Sequence, residues 1–203
     1  MFETLNLFPT PVHKVKIVPT DEQFKNLDML LTEWFDNSKE AVWALETGKS
    51  TGQKDLFLHH RPEMQWLLEA THFAACQYWI ALDYAHNAQL VCPTSWANLH
   101  KPGQVTGEHS HCGGSQKAHV SAVYYFKKPA DSGNIEFRDP LEYIHSLSPR
   151  NEYNDEIIPK AHTEIESDQF DLLLFPSWMK HRTQVNKSTG DRIAISLNFI
   201  GVW

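Results

Sequence analysis

Three histidines and one arginine in the C-terminal half are spaced as a metal site with an anion anchor beside it. His109 and His111 stand two apart on a segment read as an extended strand over residues 107–111, and alternation along a strand points both imidazoles to one face. Two ligands are thereby aimed at one ion. His181 follows the apolar run 171–175 and the break at Pro176, where a strand end can face a barrel mouth. Arg192 opens a further strand, 192–199, in which Ile193, Ile195, Leu197 and Phe199 share one face while Arg192, Ala194, Ser196 and Asn198 share the other. The first face packs and the second handles a ligand. Imidazole is a neutral nitrogen donor suited to first-row metals, and guanidinium offers a rigid fork to a carboxylate.

The other histidines carry less. His13, His59, His60, His72, His86, His100, His145 and His162 have no partner at ligand spacing and are read as surface or hydrogen-bonded structural residues, as is His119 near the ligand loop. Glu108 is one residue from His109 and should point to the opposite face. Cys112 beside His111 raises zinc, but no second cysteine lies at ligand spacing, so a structural zinc site is not expected.

Composition narrows the class. A net charge of −7, with no basic run longer than Lys127-Lys128, argues against a nucleic-acid partner. Three cysteines form neither an even framework nor a Cys-x-x-Cys pair, which points to a reducing, cytoplasmic setting. The N-terminus lacks a signal-peptide pattern and no run of about 18 apolar residues occurs, so no membrane association is expected. With 41% hydrophobic residues, 203 residues suffice for one domain: helical support over 1–89 and a β core over 90–203.

These side chains need strands to hold them. Residues 5–18 read as an entry strand or sheet edge punctuated by prolines. Thr20 with Gln23 forms a capping-box pattern ahead of Phe24, Leu27, Leu31, Trp34 and Phe35, predicting a helix over about 21–36. Residues 37–60 read as a surface loop. Pro62 starts a second helix with the stripe Met64, Leu67, Leu68, Thr71, Ala75, Tyr78, Trp79 and Leu82. From residue 90 the pattern changes to short strands, at 94–100, 107–111, 120–127, 135–137, 162–166, 171–175 and 192–199, with turns at Pro102-Gly103 and Ser132-Gly133-Asn134. The polar span 141–160 is long for a loop and reads as a lid or mobile segment. The fold class is mainly β with α, a jelly roll braced by two N-terminal helices.

Over residues 94–200 the chain resembles the prolyl hydroxylase group of iron(II)- and 2-oxoglutarate-dependent oxygenases, and within it a bacterial and phage subgroup. His109 matches the first ligand, Val123-Tyr124-Tyr125-Phe126 resembles the Tyr-Tyr-Leu strand, and Ser132-Gly133-Asn134-Ile135 stands where the Gly-Gly turn falls. The run from Phe175 through Pro176, Ser177 and Trp178 to His181 resembles the distal-ligand segment, and Arg192-Ile193-Ala194-Ile195-Ser196 the cosubstrate anchor. The resemblance implies a double-stranded β-helix that uses Fe(II), 2-oxoglutarate and O2 to hydroxylate a small-molecule or peptide substrate, releasing succinate and CO2. It implies His109, His111 and His181 as metal ligands and Arg192, Tyr125 and Ser196 as cosubstrate contacts. Asn98 and Trp178 would line the mouth, and no catalytic residue is needed beyond the ligands. One departure stands out: the group's second ligand is a carboxylate, and here the position holds His111. Aspartate at 111 is therefore expected to restore the usual triad. Two rivals remain at this point, a three-histidine cupin-type dioxygenase that does not use 2-oxoglutarate and a non-catalytic jelly-roll binding protein.

Overall fold

A computed structural model of the chain describes residues 9–38, 47–113, 117–146 and 161–203. Strand β1 (His13–Lys16) leads into helix α1 (Asp21–Asp36). The capping box forms as the sequence predicts: Gln23 N–H donates to Thr20 Oγ1, and Thr20 N–H donates back to Gln23 Oε1. Strand β2 (Lys49–Ser50) and short 3-10 turns occupy what the sequence reads as a loop, and a further such turn over Pro62–Met64 enters α2 (Gln65–Ala81). Leu67, Thr71, Ala75 and Tyr78 form the buried stripe of α2.

The strands then follow: β3 (Gln89–His100), β4 (Val120–Lys127), β5 (Ile135–Arg138), the short helix α3 (Glu142–Ser146), β6 (His162–Ile165), β7 (Asp171–Pro176), β8 (His181–Thr183) and β9 (Arg192–Val202). They make a six-stranded sheet in the order β1-β7-β4-β9-β3-β2 and a three-stranded sheet in the order β6-β5-β8, antiparallel throughout. Most of the expected span 141–160 lies outside the described residues, and α3 is the part of it that is seen.

Alternation sorts the side chains of the larger sheet into two cores. On the outer face Ala122, Tyr124 and Phe126 of β4, Leu172 and Leu174 of β7, and Ile193, Ile195 and Leu197 of β9 pack with Leu27, Leu31, Phe35, Leu67 and Tyr78 of the two helices. On the inner face Val123, Tyr125, Leu173 and Phe175 meet Ile135 and Phe137 of the small sheet. Each fully buried side chain of this size contributes about 1.5–3 kcal/mol relative to exposure, so a slip of register by one residue would cost the whole set. Register is held tightly on β9, where Arg192 faces His100, Ala194 faces Asn98, Ser196 faces Trp96 and Asn198 faces Thr94 of β3. The inner face of β9 is thus Arg192, Ala194, Ser196 and Asn198, as the alternation predicts.

The expectation of a strand over 107–111 needs correction. Among the described residues that segment makes one isolated bridge, His109 with His181, through N–H···O bonds of 2.9 Å in each direction. His111 sits in a bend instead, its N–H bonded to Ser177 O at 2.9 Å. The segment's backbone partners are split between His181 of β8 and Ser177 in the turn before it, so the ladder does not continue past the single bridge.

Candidate metal centre

The bridge places His109 beside His181 at the open end of the small sheet, and the bend swings His111 across to them. One ligand nitrogen from each of the three lies within 4.8 Å of the others, and His109 Nε2 and His111 Nε2 are 3.1 Å apart. His111 and His181 are 7% and 4% exposed, and His109 is half-buried.

The second nitrogen of each ring fixes its tautomer. His109 Nδ1 is 2.9 Å from Gly107 O, and His181 Nδ1 is 2.9 Å from Met179 O. A carbonyl only accepts, so each Nδ1 carries the proton and each Nε2 keeps its lone pair. His111 Nδ1 lies 2.9 Å from Asn198 Oδ1 and 2.9 Å from Ser121 Oγ. Asn198 Nδ2 donates to Thr94 Oγ1 at 3.2 Å, which turns its oxygen toward His111, and Ser121 Oγ donates to that oxygen as well. His111 therefore also donates from Nδ1. Burial, then the proximity of His109, lowers His111 to about 4 and takes His181 well below the usual histidine range, so both rings are neutral near pH 7.

Two imidazole lone pairs facing each other at 3.1 Å repel unless a cation lies between them. Three rings, each with Nδ1 hydrogen-bonded and Nε2 turned inward, are the pattern of histidines that hold a divalent metal. The residues present fit such an ion. Glu108 takes no part: its carboxylate accepts from Arg138 Nη1 at 2.9 Å and lies 2.9 Å from His162 Nε2, on the opposite face as expected. Cys112 is exposed and outside the cluster, and His119 accepts from Gly201 N–H at 3.1 Å, a structural role.

Arg192 is 1% exposed, and its guanidinium is cradled by neutral oxygens: Ser132 O, Gln184 O at 3.0 Å and Thr183 Oγ1 at 2.9 Å. No ion pair of Arg192 forms among the described residues. Desolvation lowers its pKa and the nearby Tyr125 opposes that shift. A buried cation with neutral partners is a seat for an anion, because an uncompensated buried charge is costly. Two buried polar atoms at this end, His100 Nδ1 and Ser132 Oγ, have no hydrogen-bond partner among the described residues. Tyr125 is buried on the same inner face, where burial raises its phenol while Ser167 and Arg192 act against that rise.

The remaining expected residues are placed as follows. Ser196 is buried on the face of Arg192, beyond Ala194. Asn98 is half-buried on the inner face, opposite Ala194. Trp178 is 43% exposed and lines a surface cleft of about 570 Å³ with Arg138, Tyr143 and Lys180. The tryptophan ring against the triad is Trp96, 5.2 Å from His111. Sequence reasoning missed Trp96 and the orienting pair Asn198 and Ser121, although the polar face of β9 pointed to Asn198.

Residues 94–198, just over half of the chain, match the family model described as "Putative 2OG-Fe(II) oxygenase". The chain belongs to the 2OG-Fe(II) oxygenases. Its cofactors are accordingly Fe(II) and 2-oxoglutarate, with O2 as the oxidant. No curated protein matches it in sequence. Among solved structures it is similar to a prolyl-4-hydroxylase of Pseudomonas putida, at 12% identity and a TM-score of 0.62, covering 94% of this chain and 92% of that one. It is also similar to HygX of Streptomyces hygroscopicus with nickel, 2-oxoglutarate and hygromycin B bound, at 13% identity and 0.59, covering 94% and 82%. A third is the viral collagen prolyl hydroxylase vCPH of Paramecium Bursaria Chlorella virus-1 in its 2OG complex, at 12% identity and 0.59, covering 94% and 96%. At these identities the likeness establishes the jelly-roll fold shared with such oxygenases.

Proposed function

We propose that this oxygenase is a hydroxylase acting on a C–H bond of a small-molecule or peptide substrate, with His109, His111 and His181 as its iron ligands. The observation that carries the reading is the convergence of three imidazole lone pairs in a barrel that also buries a guanidinium with no anionic partner. When bound, iron, 2-oxoglutarate and dioxygen supply the chemistry: one oxygen atom enters the substrate as hydroxyl, the other enters succinate, and carbon dioxide leaves.

The chain's own residues position and shield. Arg192 and Tyr125 grip the distal carboxylate of 2-oxoglutarate, and Ser196 adds a hydrogen bond from the same face of β9. Arg192 suits this because its fork can pair a carboxylate at two points while the Thr183 and Gln184 oxygens fix its plane. Trp96 packs against His111 and keeps water from that ligand. Asn98 and Trp178 face the substrate, the latter from its cleft. Proton transfer requires no side chain beyond the ligands. A cupin-type dioxygenase that binds its substrate directly to iron has no general use for so buried an anchor, and a binding protein has none for three inward lone pairs. The three free cysteines suit a reducing, cytoplasmic setting, and no described helix is long and apolar enough to cross a membrane.

The test is succinate formation by Fe(II)-loaded protein given 2-oxoglutarate and a panel of amino acids, peptides and small metabolites, with bound iron measured in parallel. One iron per chain and iron-dependent succinate are expected. Iron occupancy that survives His181→Ala would refute the ligand assignment.

A further inference from the structure

The end of the barrel around Arg192 holds a buried imidazole that the reading above does not use. His100 closes β3, pairs in register with Arg192 on the inner face, and is 4% exposed. Its Nε2 lies 2.8 Å from Thr106 Oγ1, while its Nδ1 is buried with no hydrogen-bond partner among the described residues. Native folds seldom leave such an atom unsatisfied without a use for it.

The ring's orientation shows where that atom points. A Cβ built on Gly48 would come within 3.2 Å of His100 Cδ2, so the Cδ2 edge faces the β2 side of the sheet. Strand β3 lies between β2 and β9. Nδ1, across the ring from Cδ2, is therefore turned toward β9 and Arg192. The same cluster links onward: Thr183 Oγ1 accepts from both Arg192 Nη2 and Thr106 N–H, each at 2.9 Å. Burial and the charge of Arg192 lower His100 to about 3, so the ring is neutral and has a single N–H. The Thr106 hydroxyl can donate to Nε2, and in that tautomer the N–H is on Nδ1.

We propose that His100 is a cosubstrate-binding residue whose Nδ1–H donates to the carboxylate seated on Arg192, the distal carboxylate of 2-oxoglutarate. This rests on the reading of Arg192 as the cosubstrate anchor. A neutral donor beside the guanidinium adds a directed hydrogen bond without a second buried charge. It also makes the site selective for a 2-oxo acid that ends in a carboxylate, since an acid lacking one leaves both Arg192 and His100 unanswered.

Glutamine at 100 can keep the contact to Thr106 from the Nε2 position but has no donor at Nδ1, whereas asparagine places an N–H close to Nδ1. The experiment is anaerobic calorimetric titration of Fe(II)-loaded parent, His100→Gln, His100→Asn and Thr106→Val proteins with 2-oxoglutarate and with 2-oxovalerate, which lacks the distal carboxylate. His100→Gln is expected to bind 2-oxoglutarate about tenfold to a hundredfold more weakly, with 2-oxovalerate unchanged. His100→Asn should stay within a few fold of the parent. Thr106→Val frees the tautomer and should show a smaller loss, which serves as the readout if His100→Gln fails to load iron. Parent-like 2-oxoglutarate affinity in both His100→Gln and Thr106→Val, or equal losses for the two acids, would overturn the proposal while the anchor reading stands. A parent protein that loads iron yet gives no 2-oxoglutarate isotherm would instead remove the anchor reading, and the role of His100 with it.

Discussion

Asn198 decides which nitrogen of His111 is free, and it does so as an acceptor. Its amide is locked, with Nδ2 on Thr94 and Oδ1 on His111 and Ser121. Asn198→Leu should weaken metal binding about tenfold to a hundredfold, read by competition with a chromophoric chelator, while secondary structure is unchanged. The same geometry revises what the sequence suggests for position 111. A carboxylate there would face the Asn198 oxygen, with the Ser121 hydroxyl as its one neighbouring donor, so His111→Asp is expected to bind Fe(II) more weakly than the parent, and parity in the same assay would show that the amide can turn. Arg192→Ala should weaken 2-oxoglutarate binding by on the order of a hundredfold or more, with lysine rescuing in part because it keeps the charge but loses the fork; unchanged affinity by titration would contradict the anchor. The triad was legible because ligand chemistry survives in residue type and order. Asn198 and Ser121 were not, because a hydrogen-bond partner far along the chain is chosen by register, which spacing alone does not show.

At the level of elements, periodicity carried furthest where one face packs and the other does not. Helix α1, with its Thr20 cap, and the alternation of β9 were readable for that reason. Residues 107–111 were not, because a two-residue spacing of histidines fits a strand and a bridged bend equally well. The turn at Gly133 shows what the sequence marks without explaining. Gly133 has φ of +83°, and a Cβ there would lie 2.8 Å from Gln184 O, one of the carbonyls that seat Arg192. Gly133→Ala combines backbone strain with a displaced acceptor. It is expected to cost about 1–3 kcal/mol of stability by denaturant titration and to weaken 2-oxoglutarate binding as well. A purely local turn would show only the first effect.

Across the whole molecule, buried neutral histidines tie stability to pH. His59, His100, His111 and His181 are all buried with lowered pKa, the main cause in each case being desolvation. Once the chain unfolds, each takes up a proton below its ordinary value of 6.5, while the native rings stay neutral. Their stabilising contribution is therefore complete above pH 6.5 and is lost as pH falls toward the folded values, about 4 for His111 and about 3 for His100. Each adds a slope of up to about 1.4 kcal/mol per pH unit within that window. Metal-free protein should lose several kcal/mol between pH 7 and about 5 in urea titrations; a flat profile would mean that the rings are already solvated.

Two of the three clustered imidazoles are aimed by the backbone alone. His109 and His181 each donate to the carbonyl two residues before them, and their own peptide groups clasp each other across the bridge. Every amino acid supplies that carbonyl, so no single side-chain replacement at Gly107 or Met179 can delete it. Neutral drift can thus rewrite the surroundings of those two imidazoles while their aim is inherited, whereas the third keeps its direction only so long as selection retains an acceptor at position 198.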